Sequence, residues 1–156
     1  MANEIKSKYS ANTATAMTIS LGSLASSTVG VGRQTTLVDN TTARYQALEI
    51  LVKITQGTSP TGSKFVYVYG IRGDGTTRVD GAAATDNGIT VLSAELIGVM
   101  PNKASPSTGD VLVGSFIFEN PGPEWGVAIV HDTVAALNAT GSNHAVAYIG
   151  INPEVQ

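Results

Sequence analysis

Hydrophobic and polar positions alternate with a period of two along most of this chain. The clearest stretch is residues 47–54, where Leu48, Ile50, Val52 and Ile54 fall on one face and Glu49 and Lys53 on the other. Extended backbone sends successive side chains to opposite sides, so this spacing predicts a half-buried strand rather than an amphipathic helix. The same reading gives strands over 13–21, near 33–38, and over 44–55, 64–71, 89–99, 111–118, 125–131 and 144–151, joined by turns rich in Gly, Thr, Ser and Asn.

Several of these segments carry more specific expectations. Residues 56–62 form a turn cluster, so 44–55 and 64–71 read as a hairpin with a longer loop. In 64–71, Phe65, Tyr67 and Tyr69 share one face and Val66 and Val68 the other, which predicts cover on both sides. The alternation in 89–99 selects no clean apolar face, so a bulge or a split into two short strands is expected near Ala94 and Glu95. Residues 111–118 are apolar on both faces and read as a central strand. Residues 76–88 read as a surface loop, and 132–141 is the one segment suited to a short helical turn. Residues 1–12 are polar, with Ile5 and Tyr9 as the large apolar anchors, and read as a flexible arm ahead of a single domain over 13–156. Roughly eight such strands satisfy their buried backbone groups best as an all-β, antiparallel two-sheet sandwich of jelly-roll-like form; a closed barrel is the alternative.

A chain of 156 residues supports one core. Charged residues make up only 13% of it, against about 25% in typical domains. A surface of neutral hydroxyls and amides loses little solvation when covered, which suits a protein packed against neighbours. The net charge is −3 and the nine Lys and Arg are scattered, so no basic stripe favours nucleic acid. Without cysteine, neither a disulfide nor a thiolate metal site can form. The N-terminal residues lack the apolar core of a secretory signal, and no apolar run approaches the roughly 20 residues of a membrane span, which predicts a soluble chain made in the cytoplasm. Asn40 and Asn138 sit in glycosylation sequons but read as turn residues.

Candidate chemistry is sparse. Arg72-Gly73-Asp74 spells a receptor-binding tripeptide, yet Asp74-Gly75 is a turn signal first. Asp74, Asp80 and Asp86 recur every six residues without a calcium-loop spacing, and read as turn carboxylates. His131 and His144 could approach one another, but Asp132 points to the opposite face from His131 and is poorly placed to orient it. No nucleophile elbow or phosphate loop is present, so neither an enzyme nor a cofactor is expected. Trp125 with Tyr67 and Tyr69 could build a sugar-stacking platform, although such aromatics more often fill a core.

Four phrases carry a family likeness: residues 20–27, residues 32–36 continuing through 38–42, residues 58–62 leading to Val66-Tyr67-Val68-Tyr69, and Glu124-Trp125-Gly126-Val127. Together, over residues 18–151, the pattern resembles small virion structural proteins of tailed bacteriophages. The resemblance implies a head decoration (cement) protein that stabilises the capsid. Such a protein is made in the host bacterial cytoplasm and binds the major capsid protein on the outer capsid surface, commonly as a homotrimer. On that reading the contact residues are Glu4, Ile5, Lys6, Lys8 and Tyr9 of the arm and the tyrosines Tyr67 and Tyr69, with no nucleic acid, membrane or cofactor involved. A receptor- or carbohydrate-binding module of a tail or fibre is the second reading, and a ring-forming tail-tube or connector subunit the third.

Overall fold

The computed structural model describes residues 4–155. Its strands, in chain order, are β1 (Ile5–Tyr9), β2 (Thr15–Ala16), β3 (Val31–Gln34), β4 (Val38–Asp39), β5 (Ala47–Thr55), β6 (Phe65–Gly73), β7 (Asn87–Thr90), β8 (Glu95–Pro101), β9 (Val111–Glu119), β10 (Glu124–His131) and β11 (Ala145–Val155). One sheet has the order β1-β11-β5-β9, with β2 also on β11; the second has the order β7-β3-β10-β6-β8, with β4 also on β10. Every pairing is antiparallel. From β2 onward each connection passes from one sheet to the other, except the step from β3 to the short β4 and the run from β6 through β7 to β8. That alternation is the jelly-roll arrangement of two interlocked Greek keys.

The core lies between the sheets. From the first come Leu48, Ile50, Val52, Ile54, Phe118 and Val146; from the second come Val66, Val68, Met100, Trp125, Val127 and Ile129. Leu21 and Leu137, from the connecting segments, belong to the same core. Full burial of an aliphatic side chain of this size contributes roughly 1.5–3 kcal/mol, so these residues define the domain. The Trp125 indole meets the Tyr148 ring edge-on at 4.8 Å and joins the two layers.

Several expectations are corrected. The described residues form 11 strands rather than about eight. Residues 13–21 hold only the two-residue β2, although Met17, Ile19 and Leu21 do turn inward against the core. β5 and β6 are not a hairpin: they lie in different sheets, because the 56–64 connection crosses the end of the sandwich. The split in 89–99 is present between β7 and β8, with a further bulge between Val68 and Tyr69 on the facing strand. The short helical turns are 3-10 turns at Val79–Gly81 and Gly141–Asn143; residues 132–140 hold none, and the second turn shares only Gly141 with the segment singled out. β9 is not central but the edge of its sheet. Both its faces are apolar, but only Leu112, Phe116 and Phe118 turn inward.

Of the flexible arm expected over residues 1–12, residues 1–3 lie outside the described residues and Ile5–Tyr9 forms β1, paired with residues 151–155 of β11. β11 runs past the end of β5, whose pairing stops at Ile151, so its last residues would otherwise present bare backbone groups on both edges. β1 fills one of those edges, and all five of its residues remain exposed.

Candidate contact surface

The two sheets differ in what covers their outer faces. The outer face of the second sheet is covered in part by its own chain, while Phe65, Leu96 and Val99 at its β6–β8 edge stay exposed. Residues 74–94 fold back over it and form a small second core in which Ile71, Ala82, Ile89 and Ala128 are buried and Leu37, Tyr69 and Val91 pack against them. Polar anchors hold this cover down. The Gln34 amide donates to the Ala83 and Thr85 carbonyls and accepts from the Ala83 N–H. Arg78 forms a two-pronged ion pair with Glu124 at 2.7 and 2.9 Å, and Arg33 pairs with Asp86. Such bidentate guanidinium pairs combine charge with fixed geometry.

The outer face of the first sheet carries no such cover. Cross-strand register places Ala47, Glu49, Leu51 and Lys53 of β5 beside Val111, Val113, Ser115, Ile117 and Glu119 of β9. On the other side of β5 stand Ala145, Ala147, Ile149 and Ile151 of β11, and Ile151 faces Tyr9 of β1. Val113 is 74% exposed, Ile5 71%, Tyr9 55%, Val111 51% and Ile117 50%. Exposed apolar side chains grouped on one uncovered face make it the candidate contact surface. Among its described residues the charges on this face are Glu49, Lys53 and Glu119, and the Glu49 carboxylate accepts a hydrogen bond from the Ser115 hydroxyl at 2.7 Å.

The residues singled out from the sequence fall in two separate places. Ile5 and Tyr9 lie on the bare face, while Lys6 and Lys8 point to the opposite side of the β1–β11 ribbon with Asn152 and Glu154. Lys8 pairs with Glu154 at 2.8 Å and Lys6 with Glu4 at 3.2 Å, exposed contacts that contribute roughly 0–1 kcal/mol each. Tyr67 and Tyr69 lie on the outer face of the other sheet, in a row with Phe65 whose rings are 6.0 and 6.5 Å apart. Burial, with smaller contributions from Asp132 and Tyr69, raises the Tyr67 hydroxyl above its ordinary value. The structure therefore does not join the arm and the tyrosines into one surface. The residues that sequence reasoning missed are Leu51, Val111, Val113, Ile117 and Ile149; their signal, alternate apolar positions, is also what a strand covered on both sides shows.

The remaining constellations have structural roles. Arg72 pairs with Glu95 at 2.6 Å, donates to the Asn120 and Glu119 carbonyls and lies 4.6 Å over the Phe118 ring. Asp74 caps its own turn through the Thr76 and Thr77 N–H groups. The Asp80 carboxylate accepts from the Leu92, Ser93 and Ala94 N–H groups and the Ser93 hydroxyl. Burial alone would raise Asp80, but these bonds together take it below the usual carboxylate range. Asp74, Asp80 and Asp86 thus hold separate sets of protein donors, and no cluster of metal-ligating side chains occurs among the described residues. Trp125 is fully buried and cannot stack on a sugar. A cleft beside the 101–110 loop is lined by Gln56, Asn102, Lys103 and Asp110, the last two paired at 2.8 Å.

His131 is fully buried on β10. Its Nε2 stands 3.0 Å from the Leu24 carbonyl and its Nδ1 2.9 Å from the Thr133 hydroxyl. A carbonyl can only accept, so Nε2 carries the proton, while the single proton of the Thr133 hydroxyl serves two acceptors, Nδ1 and the Ala135 carbonyl at 3.2 Å. Asp132 turns away, as expected, to accept from the Phe65 N–H at 2.7 Å. Burial is the main reason that the His131 pKa falls below its ordinary value. The unfolded chain therefore takes up a proton near pH 6.5 that the folded chain refuses. Stability from this group is complete above about pH 6.5 and declines as pH falls below it, by at most about 1.4 kcal/mol per pH unit. Thermal melts between pH 7.5 and 5 should show this decline, and His131→Gln should flatten it; equal slopes in both proteins would contradict the assignment.

No protein-family model, curated protein or solved structure matches the chain.

Proposed function

We propose that this chain is a structural protein of a phage particle, of the head decoration type, which binds the outer capsid surface and reinforces it. The observation that carries the reading is the asymmetry of the sandwich: one sheet is partly covered by residues 74–94, which leave only its β6–β8 edge exposed, while the other has no such cover and leaves Val111, Val113 and Ile117 in solvent beside few charges. A protein whose work is contact keeps such a face free for its neighbour. The low proportion of charged residues supports the same reading, since neutral polar groups around that face are desolvated cheaply. The β1–β11 ribbon extends the face beyond the body of the sandwich and replaces the loose arm as the element that reaches toward the shell.

A tail or fibre module that binds a receptor or carbohydrate is the second reading. The row Phe65, Tyr67 and Tyr69 favours it, because it is partly exposed and lies on the sheet opposite the bare face. Burial of Trp125 removes the strongest stacking side chain from that platform. Quantifying this chain against the major capsid protein in purified particles separates the two. A decoration protein is expected at hundreds of copies per particle, and a handful of copies would overturn the proposal in favour of a tail position.

A further inference from the structure

We infer that the bare outer face of the β1-β11-β5-β9 sheet binds the same face of a second copy of this chain, related by a two-fold axis that crosses β5 at Leu51. The inference rests on reading that face as a contact surface, and it names the partner.

The charges select the occupant. Glu49 and Lys53 stand on the outer side of β5, symmetrically about Leu51. They are about 13 Å apart at the rise of an extended strand, too far to neutralise each other, and neither forms an ion pair among the described residues. A two-fold axis lying in the face and running across the strands reverses β5 end for end. It sets Lys53 of each copy against Glu49 of the other, and both charges are satisfied by one operation. An axis along β5 would instead oppose Glu49 to Glu49, which like-charge repulsion disfavours. Apart from Ser7, Ser115 and Glu119, the last of which stands at the end of the edge strand β9, the rest of the face is apolar, and the same patch serves both copies as a two-fold interface requires.

The area approaches what a pairing needs. The three strand positions β11, β5 and β9 at about 4.8 Å spacing and nine residues at about 3.3 Å give roughly 430 Å², which the β1–β11 ribbon raises to about 540 Å². Stable interfaces bury about 600–1,000 Å² per partner. Two such sheets stack face to face about 10 Å apart with their strands nearly aligned, as the layers of a sandwich do.

Sedimentation of the full chain over a range of concentrations tests the pairing. The wild-type protein should form dimers. Glu49→Lys should weaken them about 100-fold by opposing lysines, and Lys53→Glu should do the same by opposing carboxylates. The double variant carrying both changes should restore dimerisation to within a few-fold of wild type. Both positions are on the surface, and unchanged melting of the dilute variants will show that each still folds. A wild-type monomer at about 100 μM, a trimer insensitive to the swaps, or a double variant that stays monomeric would overturn the inference. Binding to undecorated capsids, measured separately, distinguishes the failures. A monomer that still coats capsids removes the self-pairing alone, and a charge-sensitive dimer that never binds capsids removes the particle role alone.

Discussion

Truncating Trp125 to alanine is expected to lower the stability of the isolated chain by about 3–5 kcal/mol, the cost of deleting a large buried aromatic and leaving a cavity. The indole is fully buried, belongs to β10 in one sheet and packs edge-on against Tyr148 of β11 in the other. Its loss therefore opens a gap between layers that the backbone ladders hold apart, so little collapse can fill it. Domains of this size are stable by only about 5–15 kcal/mol, and the variant should lose a large share of that. Trp125→Phe should cost far less, because the indole N–H makes no hydrogen bond with the described residues. Urea titration of both variants gives the comparison, and a cost below about 1 kcal/mol for alanine would contradict the packing described.

Placing aspartates on the bare face should have the opposite profile. The double variant Val113→Asp, Ile117→Asp changes two side chains that are 74% and 50% exposed, so its effect on folding should stay within about 1 kcal/mol per site. Its effect on association should be large. Both residues lie on the outer side of β9, where any partner must bring apolar atoms, and a carboxylate buried there without a partner is strongly unfavourable. Self-association measured by sedimentation should fall by more than about 100-fold. Trp125 and the pair on β9 thus separate what folds the chain from what the chain binds. A variant that melts like wild type and still associates fully would remove β9 from the contact surface.

The sequence is most legible where chemistry differs between the faces of a strand. β5 alternates aliphatic residues with Glu49 and Lys53, so the inner face could be read directly. β10 was equally plain, with Trp125, Val127 and Ile129 inward. β9 was misread because Val111, Val113 and Ile117 supply the same pattern whether they are covered by the chain itself or left for another molecule. The proposed hairpin of β5 and β6 failed for a different reason: strand pairing in a jelly roll is set by long-range closure of two sheets, and turn residues at 56–62 carry no mark of which sheet comes next. β1 was unreadable because its partner, the overhanging end of β11, exists only once the sheet is assembled. The contact surface was accordingly half visible. Ile5 and Tyr9 were identified, Tyr67 and Tyr69 proved to lie on the other sheet, and the aliphatic centre at Leu51 became apparent only from register.

The chain contains no cysteine, so a single one introduced by Val113→Cys reports directly on whether the bare face is covered by protein in the working state. Its maleimide labelling rate should be compared with that of Ser142→Cys, which sits in the exposed turn before β11, in dilute and in assembled protein. Strong protection of position 113 on assembly, with position 142 unchanged, is the predicted result. Equal reactivity at position 113 before and after assembly would contradict it.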